Sequence, residues 1–271
     1  MKKKNVIALS LAGLLALSLC ACGGGSADVT VVKVGVVGSN NNQWDKVNEL
    51  LEKENIKCEL VEFSAYALPN EALNSGEVDL NAFQHKAYLN GEVEKNGYEV
   101  TTLCNTYIAP LSIYSDKITD LNELKDGDKV AVPSDPTNEG RCFKILESAG
   151  VLEVDPAAGY TPERKDITSN PLNLEFVEME AAYTASSIPD VAIAFVNGQH
   201  AEDNGLNVAD AVYTETVEAG SDNPYINIIA CRTADLENET YQKVAAAYQT
   251  AEVAQAIDDL FGGRFIPAFE Y

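Results

Sequence analysis

Apolar residues along this chain switch repeatedly between two spacings, and that switching restricts the fold more than any other feature. Val29–Val37 reads as a strand, and Asn42–Glu54 then places Trp44, Val47, Leu50 and Leu51 at helical spacing. Lys57–Phe63 reads as the next strand and Pro69–Asn74 as a short helix with proline near its start. Val78–Phe83 is strand-like, His85–Lys95 helical, and Val100–Tyr114 rich in β-formers. Lys129–Val132 reads as a strand and Thr137–Ala149 as a helix that Gly150 can end. Leu174–Glu178, Val191–Phe195 and Asn227–Cys231 are further strands; Tyr241–Gln249 and Val253–Leu260 are closing helices. Such alternation predicts an α/β fold with largely parallel sheets. In that class ligands sit beyond the C-terminal ends of strands, often between domains. With 271 residues the chain can build one large core or two small ones.

The N-terminus carries an export signal. Lys2, Lys3 and Lys4 precede an apolar run from Val6 to Leu19 that is too short for a confident membrane span. It ends in Leu17-Ser18-Leu19-Cys20-Ala21-Cys22 and then three glycines. Bacterial lipoprotein signals end in a Leu-x-small-Cys box whose cysteine receives a diacylglyceryl group. Two registers exist here. Cutting before Cys20 would place bulky Leu19 at the cleavage site, whereas cutting before Cys22 places small Ala21 there, so Cys22 is the expected lipidation site. Residues 1–21 are then the signal peptide and 22–28 a flexible tether. Two acyl chains anchor a protein stably, at about 0.8 kcal/mol per buried methylene. The expected location is the extracytoplasmic face of the cell membrane.

The formal charge is −23, and the signal segment contains three lysines and no acid, so the mature chain is more acidic still. That surface repels nucleic acid. Cys58, Cys104, Cys142 and Cys231 are scattered, with no CxxC, and the chain has two histidines, His85 and His200. Neither thiolate nor histidine metal binding is expected, and no cofactor. An exported protein can form disulfides, but scattered cysteines in apolar contexts read as buried thiols.

The octet Asn81-Ala82-Phe83-Gln84-His85-Lys86-Ala87-Tyr88 brings two aromatic rings and an imidazole within six positions, in a chain that is 8% aromatic. On spacing alone it reads as a core strand running into a helix. The wider stretch Tyr66-Ala67-Leu68-Pro69-Asn70-Glu71-Ala72-Leu73, then Gly76-Glu77-Val78-Asp79-Leu80 and the octet, closely resembles the NlpA-type lipoprotein family, the methionine-binding receptors of methionine ABC importers. The resemblance extends through Asn105-Thr106-Tyr107, Pro133 to Arg141, Asn170 to Leu174 and Phe261-Gly262-Gly263. It implies a periplasmic-binding-protein-like fold of type II: two α/β lobes, each a sheet flanked by helices, joined by two crossovers. Carried onto this chain, one lobe is 29–107 plus 226–271 and the other 108–225.

An amino-acid ligand needs partners for a carboxylate, an ammonium and a side chain. Arg141 suits the carboxylate. It follows a Pro- and Asp-rich turn into a helix start, where free N–H groups favour anions, and its fork matches a carboxylate. A cation in the first turn opposes the helix dipole, a local conflict that points to function; the residues alone also allow a surface arginine. Asn197, at the end of the buried Val191–Val196 run, and Asn227, a polar amide in an apolar strand, suit the ammonium and the other carboxylate oxygen, or else structural hydrogen bonds. The resemblance assigns all three to the ligand. It also makes Tyr66, Phe83, His85 and Tyr88 the side-chain slot, with Gln84 and Lys86 pointing elsewhere. A thioether gains about 0.3–1.5 kcal/mol against an aromatic edge. The resemblance departs at Gly198-Gln199-His200-Ala201, where relatives more often have Thr or Asn and then Tyr-Ala.

The expected partners are methionine or a related small amino-acid ligand, an ABC permease and a separate ATPase, since the chain has no GxxxxGK[ST] loop. A different amino acid or a Met-containing dipeptide remains open as ligand. A surface adhesin or immunogen is a reading of another class. An enzyme of this fold would need a base, and no GxSxG, HExxH or Ser-x-x-Lys arrangement sits in a convincing context.

Overall fold

The computed structural model describes residues 28–217 and 222–271. The signal peptide, Cys22 and nearly all of the tether lie outside these residues.

The chain begins with β1 (Thr30–Val37), α1 (Gln43–Leu51), β2 (Ile56–Phe63), α2 (Leu68–Ser75), β3 (Leu80–Asn81), α3 (Lys86–Asn96) and β4 (Val100–Ile108). It continues through β5 (Ser112–Tyr114), β6 (Lys129–Pro133), α4 (Pro136–Ser148), β7 (Glu153–Val154), β8 (Ile167–Ser169) and β9 (Glu175–Met179). Then come α5 (Ala181–Thr184), β10 (Ile193–Val196), α6 (Gly198–Asp203) and β11 (Tyr213–Thr214). It closes with β12 (Ile226–Arg232), α7 (Glu239–Tyr248), α8 (Ala251–Phe261) and β13 (Ile266–Pro267).

These elements build two lobes. The first sheet has the order β13-β4-β12-β3-β1-β2 and the second β11-β5-β10-β6-β9, while β7 and β8 form a small separate pair. Each sheet has its own core. Val34 and Val36 of β1 bury against Trp44, Val47 and Leu51 of α1 and against Val244, Tyr248 and Ile257 of the closing helices. Val130 and Val132 of β6 bury against Phe143 and Leu146 of α4 and Phe195 of β10. The i, i+3, i+7 spacing of Trp44, Val47 and Leu51 is what puts them on one helical stripe.

The sheets are mixed, not largely parallel as the alternation predicted. β1 pairs parallel with β2 and β3, and β6 parallel with β9 and β10. The antiparallel pairs sit where the chain changes lobes. It leaves the first sheet along β4 and returns along β12, and the two run side by side in opposite directions. It enters the second sheet along β5 and leaves it along β11, again antiparallel. Neighbouring strands that carry a chain out and back must oppose one another.

Two further expectations shift. The strand foreseen over Val78–Phe83 contracts to Leu80–Asn81, because the chain turns at once into the α3 cap. Arg141 lies in the second turn of α4, not the first: Asp135 caps the helix and Pro136 begins it, so the opposition to the helix dipole is weaker than expected. Cys58, Cys104, Cys142 and Cys231 are free thiols.

Candidate functional site

A cavity lies between the lobes, the position where two-lobed α/β folds hold small molecules. All seven residues singled out from sequence line it. Tyr66 follows β2, Phe83 follows β3, Arg141 lies on the helix after β6, and Asn197 follows β10. Each therefore sits beyond the C-terminal end of a strand in a parallel pair, where an α/β sheet leaves its crevice.

Three rings form a triangle on one wall. Tyr66 and Phe83 have centroids 5.8 Å apart, Tyr66 and Tyr88 5.9 Å, and Phe83 and Tyr88 5.9 Å. Those separations are those of rings packed on one another, and all three rings border the cavity. His85 caps α3: its Nδ1 accepts from the Tyr88 N–H at 3.0 Å. That contact fixes the tautomer, so Nε2 carries the proton and donates to Asn138 Oδ1 at 3.3 Å. Both ring nitrogens are thus used inside the protein, and what His85 offers a guest is ring surface. Burial first and the nearby Arg141 charge second push its pKa down to about 3, which keeps the imidazole neutral.

Arg141 is the single charged residue among those described along the cavity wall. Its Nε donates to both Glu215 oxygens, at 3.2 and 3.1 Å, and its Nη2 to Ala109 O at 2.9 Å. The guanidinium carbon lies 4.3 Å from the centroid of the Tyr225 ring. Glu215 is itself held by the Leu111 N–H at 3.1 Å. Sequence reading missed Glu215. It is 74 positions from Arg141 and belongs to the other crossover, so only the fold brings the two together. Among the described residues Nη1 makes no hydrogen bond, which leaves one edge of the fork for a second carboxylate.

Asn227 is half-buried in β12, at a break in register with β4 between Ile226 and Ile228. Bulges of this kind re-aim a side chain, here one in an otherwise apolar strand. Asn197 is buried at the start of α6, its Nδ2 donating to Asn138 Oδ1 at 2.8 Å. Its Oδ1 is buried and has no partner among the described residues. Gln84 departs from expectation. It is buried and bonded to Asn70 and Asn81 in an amide cluster under the octet, and it touches the cavity.

Tyr107, Phe265 and Gln199 also line the cavity and were not foreseen as wall residues. Tyr107 and Phe265 stack with centroids 4.6 Å apart and planes 15° from parallel. A tyrosine ending β4, beside the crossover, is the signal that could have found the pair. His200, where the family resemblance departs, is not among the wall residues. Its ring lies 5.0 Å from that of Tyr66, so its influence on the cavity passes through Tyr66.

The sequence profile of the NlpA lipoprotein family matches residues 32–269. The chain belongs to the NlpA lipoprotein family. The D-methionine-binding lipoprotein MetQ of Salmonella typhimurium is 39% identical over 252 residues, covering 91% of this chain and 92% of that protein. A nutrient-binding protein from Burkholderia cenocepacia, solved bound to methionine, superposes with a TM-score of 0.82 at 36% identity, over 88% of this chain and 100% of that one. The substrate-binding protein of a methionine transporter from Streptococcus pneumoniae gives 0.82 at 33% identity, over 88% and 95%. These family members are binding lipoproteins of transporters and not enzymes, and the two-lobed fold is theirs. Among the described residues no helix is long and apolar enough to cross a membrane.

Proposed function

We propose that the chain is the extracytoplasmic substrate-binding lipoprotein of an ABC importer, and that it captures methionine between its lobes for delivery to the permease. The observation that carries this reading is the convergence of an aromatic triangle, one arginine whose Nη1 has no partner among the described residues, and two asparagines on a single cavity. The names of the relatives support it.

In this reading Arg141 takes the ligand carboxylate through Nη1, Asn227 the second carboxylate oxygen, and Asn197 Oδ1 the ammonium. Tyr66, Phe83 and Tyr88 hold the thioether, with His85 closing the slot by its ring. Residues 29–107 with 226–271 form one closing body and 108–225 the other, and the ligand favours closure by contacting both. Cys22 carries the diacylglyceryl anchor, and the permease works with a separate ATPase.

The test is a thermal-shift panel on protein unfolded and refolded to remove carried-over ligand. L-methionine, D-methionine, Met dipeptides, leucine and cysteine are compared at equal concentration. The proposal expects the largest stabilisation from a methionine isomer. A larger shift with leucine or cysteine would remove methionine as the ligand and leave the receptor fold standing; a larger shift with a dipeptide would move the ligand to that class.

A further inference from the structure

Among the described residues the cavity wall has no acidic side chain to meet an ammonium, yet a carboxylate acts on it through two side-chain amides. Asp135 caps α4, accepting from the Asn138 N–H at 2.9 Å. Its oxygens also accept from Asn138 Nδ2, at 3.1 and 2.9 Å. A carboxylate only accepts, so it holds the Asn138 amide with nitrogen toward Asp135 and oxygen toward the cleft. Asn138 Oδ1 then accepts from Asn197 Nδ2 at 2.8 Å and faces His85 Nε2 at 3.3 Å. His85 Nδ1 is already an acceptor, for the Tyr88 N–H, so Nε2 reinforces the same orientation. With Nδ2 turned to Asn138, Asn197 points Oδ1 the other way, and that atom is buried without a partner among the described residues. A buried amide oxygen left in this state calls for a donor.

We propose that Asp135 and Asn138 are positioning residues: they form a relay that locks Asn197 with oxygen toward the ligand, and so select ligands bearing an α-ammonium over des-amino or N-acylated analogues. This rests on the proposed amino-acid site and adds the source of its preference. The charge stays outside the cavity, so the wall gains an oriented acceptor without a buried unpaired carboxylate. Hydrogen bonds in series polarise one another, which strengthens the terminal acceptor.

The relay is tested with Asp135→Asn. Asparagine caps a helix about as well as aspartate, so α4 keeps its start. Its amide nitrogen then opposes Asn138 Nδ2, donor against donor. Turning Asn138 over relieves that clash at the expense of its contact with His85 Nε2, Asn197 follows, and an N–H replaces the oxygen at the ligand. The full-length protein, refolded free of ligand in mild detergent, is titrated by calorimetry with L-methionine and with 4-(methylsulfanyl)butanoate, which lacks only the amino group. The expected result is a loss of about tenfold or more for L-methionine, the worth of one charged hydrogen bond, with a change of under about threefold for the des-amino acid. Adding Asn197→Asp to Asp135→Asn restores an oxygen at the ligand whichever way Asn138 turns. The double variant should recover methionine affinity to within about threefold of wild type, a coupling that a merely structural role would not produce. Should Asp135→Asn fail to fold, Asp135→Ser keeps a cap, removes the lock and is read the same way. Parallel losses for both ligands, or unchanged methionine affinity, overturn the relay while the functional reading survives. A wild-type protein that ignores both L- and D-methionine overturns the functional reading and the relay with it.

Discussion

Arg141 is already saturated along one edge before any ligand arrives. The pair with Glu215 is buried, the arginine side chain only 3% exposed and the glutamate 14%. Breaking a buried ion pair by removing one partner strands the other charge, at a cost of about 3–5 kcal/mol. Arg141→Ala is therefore expected to lower the ligand-free thermal midpoint and to weaken amino-acid binding more than tenfold, read together by calorimetry and thermal unfolding. Unchanged affinity would remove Arg141 from the site. His85 carries a second prediction. Its pKa in the folded chain, about 3, lies below the ordinary value of 6.5. The unfolded chain therefore takes up a proton first as pH falls. Stability is complete above about pH 6.5 and declines toward pH 3, by up to about 2 kcal/mol between 6.5 and 5. His200, also buried with a lowered pKa, adds to the same slope. Thermal midpoints of ligand-free protein at pH 7.5 and 5.0 should show the decline, and His85→Gln should flatten it. An equal slope in that variant would contradict the assignment.

At the scale of elements, α4 carries Asn138 and Arg141 to the cavity, and Gly140 fixes how closely it can lie. A Cβ there would stand 2.8 Å from the Thr161 Cα and 2.9 Å from its carbonyl carbon, both backbone atoms. Gly140→Ala should thus destabilise by about 1–3 kcal/mol, although alanine is the better helix former by about 1 kcal/mol. Denaturant unfolding measures the sign, and a stabilised variant would refute the close approach. Elements of this kind were largely legible in the sequence. The apolar stripe Trp44, Val47, Leu51 and the Asp135-Pro136 start of α4 show in local spacing and cap chemistry, which act over a few residues. Strand direction was not legible, because the antiparallel pairing of β4 with β12 joins residues more than a hundred positions apart and follows from where the chain crosses between lobes. The site divides the same way. Phe83, His85 and Tyr88 share one short segment and stood out by density. Glu215 and the Asp135–Asn138–Asn197 chain did not, since each depends on side chains that meet only across the folded cleft.

Across the whole molecule, the lobes are clasped away from the aromatic wall. The loop after β1 wraps the Asp203 carboxylate, with the Ser39 and Asn40 N–H groups each 3.3 Å from Oδ1 and Asn40 Nδ2 2.7 Å from Glu202 Oε1. Gln199 Nε2 reaches Asn40 O at 3.2 Å, and Arg264 holds Glu202 at 2.9 Å. These contacts join a first-lobe loop and the C-terminal segment to α6 of the second lobe. Asp203→Ala should weaken binding of every ligand alike, by about two- to tenfold, because a partly exposed clasp contributes about 0.5–1.5 kcal/mol to closure. Solution scattering should show a larger ligand-free radius for the variant. A changed order of ligand preference would instead mean that Asp203 acts within the cavity.

A crystal structure of the refolded protein grown with L-methionine tests ligand, cavity and orientation at once. One methionine is expected between the lobes, its carboxylate on Arg141 Nη1 with Glu215 still on Nε, its ammonium on Asn197 Oδ1, and its thioether among Tyr66, Phe83 and Tyr88. Methionine bound elsewhere, or inverted so that its ammonium lies at Arg141, would contradict it.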